Sequence, residues 1–72
     1  KVVEAAVVIL ESNGGSMHYK EITEAMVLAG TYVAKGKYAS DSVRKLLNMA
    51  VDEGDIRLTV TGRGVFQHAE AA

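Results

Sequence analysis

The sequence predicts a mainly α domain closed by a C-terminal β-hairpin. Three observations carry that reading. Apolar residues recur at helical spacing up to Gly54, the period then switches to alternation, and glycines rather than prolines separate the segments. The chain has 72 residues, seven glycines and no proline. That length suits one compact domain, taken here as residues 1–72.

The first helix is expected over Val2 to Asn13. Val3, Ala6, Val7, Ile9 and Leu10 supply its apolar surface, while Lys1, Glu4 and Glu11 form a polar stripe. Asn13-Gly14-Gly15 ends it. Ser16-Met17-His18 lies extended and has the composition of a very short strand. The second helix runs from Tyr19 to Ala29, with Tyr19, Ile22, Ala25, Met26 and Ala29 on one face and Gly30 closing it. His18 is expected to cap or staple its start, and Glu21 falls in its first turn, where the helix dipole favours an acid.

A third helix is expected from about Ser40 to Glu53, with Ser40 as N-cap, Asp41 in the first turn and Gly54 at the end. Val43, Leu46, Leu47 and Ala50 form its predicted buried face. Asp41, Arg44, Lys45, Asn48 and Asp52 form the opposite one. Ile56 and Leu58 then alternate with Arg57 and Thr59, Thr61-Gly62-Arg63-Gly64 is turn chemistry, and Val65-Phe66-Gln67-His68 resumes as a second strand. Glu70-Ala71-Ala72 reads as a frayed tail. Three helices followed by a two-stranded wing is the winged helix-turn-helix arrangement. The connection from Thr31 to Ala39 is longer than the three or four residues of a minimal helix-turn-helix.

Composition excludes several function classes. Without cysteine there is no disulfide framework and no thiolate metal site. His18 and His68, 50 positions apart in the numbering, are too few for a zinc site of about four ligands. Gly62-Arg63-Gly64 is too short to cradle a phosphate, and the serines have no nucleophile elbow around them. A domain this small buries only about 60% of its unfolded surface, which leaves little for a substrate pocket. No cofactor, metal, small-molecule substrate or stand-alone catalysis is expected. The longest apolar run, Ala5 to Leu10, is too short to span a bilayer, and no signal-peptide pattern is present. An intracellular location is expected, in cytoplasm, nucleoid or nucleus. Opening at Lys1 without methionine, the sequence is read as one domain of a larger protein.

Three stretches together resemble the HARE-HTH family of winged-helix domains. Met17-His18-Tyr19-Lys20-Glu21-Ile22 is similar to that family's apolar-His-x-x-Glu-Ile approach to the second helix. Gly36-Lys37 with Ser42-Val43 is similar to its Gly-Lys segment before the third, and Gly64-Val65-Phe66 to its second wing strand. The resemblance spans roughly Val2 to Gln67. Where the family often has Thr-Pro at the start of the third helix, this chain has Tyr38-Ala39. The resemblance implies a DNA-binding or chromatin-associated module within larger proteins. Relatives occur in additional-sex-combs-like chromatin proteins, restriction and DNA-modification enzymes, and the bacterial RNA polymerase delta subunit.

The charge distribution fits that expectation modestly. The net charge is -1, yet six basic residues (Lys35, Lys37, Arg44, Lys45, Arg57, Arg63) lie between Lys35 and Arg63, against four acids (Asp41, Asp52, Glu53, Asp55) in the same span. With the third helix in a major groove of double-stranded DNA, Arg44 is expected at guanine and Asn48 at adenine. Lys35, Lys37 and Lys45 are expected on phosphates. Arg57 belongs to the basic set, and Arg63 sits at the wing tip, on the backbone or in a minor groove. Ser40 and Ser42, with the free N–H groups of the helix start, are expected to hold one phosphate. The competing reading makes Asp41, Arg44, Lys45, Asn48 and Asp52 a solvated face of i, i+3 and i, i+4 pairs. The net negative charge and the acidic stripes of helices 1 and 2 also suit a protein-interaction module. Further alternatives are an appended non-catalytic domain of a restriction or modification enzyme, and a dimerisation domain.

Overall fold

Apolar spacing and helix-end chemistry set the elements. A computed structural model describes residues 2–33 and 36–68, and Lys1, Lys35 and the expected frayed end Glu70-Ala71-Ala72 lie outside the described residues. The order is α1 (Val2–Ser12), β1 (Ser16–His18), α2 (Tyr19–Ala29), α3 (Ala39–Asp52), β2 (Leu58–Gly62) and β3 (Val65–His68). The chain is thus mainly helical, with three helices and a small antiparallel sheet.

His18 starts α2 as expected. Its backbone is extended, its ring Nδ1 accepts the Lys20 N–H at 3.2 Å, and its own N–H donates to Glu21 Oε1 at 3.2 Å. This reciprocal cap satisfies donors that a helix start otherwise leaves open. At the other end Gly30 takes φ 77°, so that its N–H reaches Val27 O at 3.1 Å and the next N–H, of Thr31, reaches Met26 O at 3.0 Å. That backbone twist is costly for any residue with a Cβ.

The strand order is β1-β3-β2, all antiparallel. Met17 opposes Phe66 on one side, and Val60 opposes the same residue on the other. The register shifts between Val60 and Gly62, which gives β2 one extra residue at the end of the hairpin. The short stretch at Ser16–His18 therefore completes the sheet rather than merely leading into α2.

Phe66, on the middle strand, packs in one core with Leu10 of α1, Ile22 and Met26 of α2, and Val43 and Leu47 of α3. Thr23 is buried among them, and its hydroxyl donates to Tyr19 O at 2.8 Å. Among the described residues no buried side-chain nitrogen or oxygen lacks a partner.

Four sequence expectations change. Ser40 is not the N-cap of α3: Tyr38 holds that position without a side-chain hydrogen bond. The helix starts there because Ser42 N–H already bonds Tyr38 O at 3.0 Å. Leu46 is 40% exposed, whereas Val43, Leu47 and Ala50 are buried, because its direction falls at the margin of the apolar stripe. Ala29, at the last position of α2, is exposed. Ile56 is 78% exposed and precedes the strand. The Asp55 carboxylate accepts the Arg57 N–H at 3.0 Å and closes a turn across Ile56, so pairing begins only at Leu58.

The adjacent leucines give a direct check on the packing. A chain of this length holds roughly 4–11 kcal/mol of stability at about 0.05–0.15 kcal/mol per residue. Leu47→Ala is expected to cost about 2–5 kcal/mol in urea unfolding and to leave the domain near its threshold. Leu46→Ala is expected to cost less than about 1 kcal/mol.

Candidate nucleic-acid interface

The amino-terminal half of α3 presents its polar side chains outward. Asp41, Ser42, Arg44 and Lys45 are exposed, and with Tyr38 they line an open depression of about 310 Å³. Lys37 is exposed just before the helix. Ser40 is half-buried within the first turn, and Asn48 is half-buried one turn beyond Arg44. Because Ser42 N–H is the first to bond within the helix, those of Ala39, Ser40 and Asp41 have no intrahelical acceptor.

The paired-face alternative predicted that Asp41 and Asp52 would neutralise Arg44 and Lys45. Among the described residues no such ion pair forms; the pairs present are Arg57 with Asp55 and His68 with Glu11. Arg44 instead sits with its guanidinium over the Tyr19 ring, 5.6 Å from the centroid. A planar cation over an aromatic face is held by attraction to the ring's negative quadrupole.

Tyr19 also touches the wing. Its N–H donates to Gly64 O at 2.8 Å. A Cβ on Gly64 would lie 2.9 Å from Tyr19 Cδ1 and Cε1 and 3.0 Å from His18 Nε2. Only a residue without a side chain allows that approach, and φ of 71° at Gly64 disfavours any other residue independently. Tyr19 therefore fastens the turn that carries exposed Arg63 to the start of α2, while its ring supports Arg44 of α3.

Arg57 is placed elsewhere. It sits past the carboxyl end of α3, bordering a depression that also contains Glu4, Glu53 and Asp55. Its Nε and Nη2 donate to the two Asp55 oxygens at 3.0 and 2.8 Å. These hydrogen bonds, with that from the Arg57 backbone, lower the Asp55 pKa from 3.8 to about 2, and they raise that of Arg57. Lys35 lies outside the described residues. The structure thus brings together Lys37, Ser42, Arg44 and Lys45 on α3 and its approach, connects the Arg63 turn to them through Tyr19, and commits Arg57 to Asp55.

Two residues here were not singled out as site candidates from the sequence. Tyr38, 70% exposed, contributes an aromatic wall to the α3 depression. Tyr19 reads from the sequence as part of the apolar face of the second helix. Its half-buried ring faces Arg44 across a sequence gap that no local pattern reveals. The one hint was its position inside the His18-to-Ile22 motif.

Two outcomes check these contacts. Gly64→Ala is expected to destabilise the fold by about 1–3 kcal/mol in chemical denaturation, through unfavourable φ and the Tyr19 ring. Asp55 should titrate by carboxyl NMR with a midpoint of about 2, moving up toward 3.8 in Arg57→Gln. Because the folded value is depressed, the pair's contribution to stability is fully present above 3.8 and is lost as pH falls through about 2.

Compared with known proteins, the chain matches no family model, no curated protein and no solved structure.

Proposed function

We propose that the chain is a winged-helix module that binds double-stranded DNA, with the amino-terminal half of α3 toward the major groove and the Arg63 turn on the backbone or in a minor groove. The observation that carries this reading is the set of exposed cations around the start of α3, which no carboxylate neutralises among the described residues, joined through Tyr19 to the wing turn. The element order and the β1-β3-β2 sheet support the winged-helix reading. The resemblance to HARE-HTH domains points the same way. In this reading the module recruits or positions a larger chromatin, transcription or DNA-modification protein and does no chemistry itself.

Most contacts would go to phosphate, so binding is moderate and falls with salt. Arg44 is the base-reading candidate, and Asn48 the second. Lys37 and Lys45 neutralise phosphates, with Ser40 and Ser42 at the helix start. Arg57 is occupied by Asp55 and contributes little.

A protein-docking role is the second reading, favoured by apolar exposure at the end of α2. Val27 and Leu28 are 41% and 88% exposed, and Val33 just beyond is 73% exposed. Such side chains on a small domain suit a partner when contiguous.

NMR titration of the labelled domain with a random-sequence duplex, at low and moderate salt, separates the two. DNA binding predicts shifts at residues 37–48 and 61–64 that weaken as salt rises. Combined Lys37→Ala and Lys45→Ala substitution should make the slope of log K against log salt shallower by about 2. An unperturbed spectrum at low salt would overturn the DNA reading and favour the docking role.

A further inference from the structure

The cations of the proposed interface are not held alike. Lys37 and Lys45 are exposed on flexible stems, with no ion pair among the described residues. Arg44 has its guanidinium 5.6 Å from the Tyr19 ring centroid. The ring itself is anchored, because Tyr19 N–H bonds Gly64 O at 2.8 Å and the Gly64 backbone packs against it. The His18 ring lies beside it, tilted by 30°, with ring centroids 4.4 Å apart. A planar donor fork loses less freedom on contact when its plane is already fixed, and a fixed fork discriminates between base edges where a mobile ammonium only neutralises charge.

Resting on the DNA reading, we propose that Tyr19 is a positioning residue: it holds Arg44 for bidentate recognition of guanine and keeps the Arg63 turn beside it. Arg44 then supplies sequence preference, and Lys37 and Lys45 supply sequence-independent attraction. Tyr19 needs its ring for this and not its hydroxyl, for which no hydrogen bond forms among the described residues.

The test starts from a duplex selected out of a random pool by the unaltered chain, and compares it with one in which each guanine pair in turn is inverted. Tyr19→Leu should cut the preference for the selected duplex by roughly five- to a hundredfold while leaving the salt slope unchanged. Tyr19→Phe should retain the preference. Arg44→Lys, which keeps the charge and removes the fork, should reproduce the loss without touching the Gly64 contact, so a folding defect in Tyr19→Leu does not decide the result. In the free protein, the Arg44 Nε–H resonance should show a ring-current shift that Tyr19→Leu abolishes and Tyr19→Phe keeps. A uniform loss of affinity for all duplexes in Tyr19→Leu, or an unchanged preference in Arg44→Lys, would overturn the inference while the DNA reading stands. If the unaltered chain binds no duplex, the DNA reading falls and this inference falls with it.

Discussion

The contact between Tyr19 and Gly64 is the constraint on which the rest of the architecture turns. A two-stranded ribbon alone is marginal in water. Here β3 gains β1 as a second neighbour, and the hairpin turn is tied to α2 by the Tyr19 N–H at Gly64 O. The tie sits directly beside the His18 cap, so the residue that ends β1, the residue that begins α2 and the turn of the hairpin meet at one point. Phe66, two residues along from Gly64, is thereby fixed in the core between the helices. This junction adds to the core contacts of Leu58 and Phe66 in joining the sheet to the helical layer.

Charge is arranged by position rather than by sum. A net charge of -1 gives no long-range pull toward a polyanion. The carboxyl end of α3 and the turn after it hold Asp52, Glu53 and Asp55, and Asp55 takes Arg57 out of circulation. Cations without such a partner among the described residues are left at the opposite end of the same helix, at Lys37 and Lys45, and at Arg63 in the wing turn. For a nucleic-acid ligand this confines the attractive footprint, which Asp41 in the first turn of α3 narrows further, since it lines the same depression as Arg44 and Lys45. Docking the helix by its carboxyl end would bring acids against phosphate.

Much of the fold was legible in the sequence because its signals are local. The glycine after each helix, the change of period after Gly54 and the place of His18 before the second helix each report on a few neighbouring residues, and each reads correctly. The misreadings come from interactions that override local pattern. Ile56 has the alternation of a strand, but the Asp55 carboxylate captures the Arg57 backbone first. Leu46 has the right chemistry for the core and the wrong angle by a fraction of a turn. Ser40 is a good cap by type, yet Tyr38 begins the helix two residues earlier. In the site, Arg44 and Lys45 were legible as outward cations. Their different restraint was not, since it depends on a ring contributed by another helix.

Folding and the proposed recognition draw on largely separate residues. Lys37, Ser42, Lys45 and Arg63 are exposed and absent from the core, so they can change with little cost to stability. Tyr19 is the exception. Half-buried and packed against the core, it also carries the Gly64 tie and the Arg44 cation–π contact. A residue in both sets couples them: loosening the hairpin turn moves the ring, and moving the ring frees the guanidinium. In a domain of this size, whose described residues pack around one core, such sharing is a route to a restrained recognition group. The surface lysines can be mobile because charge neutralisation tolerates it, whereas the base reading proposed for Arg44 gains from a guanidinium held over the Tyr19 ring.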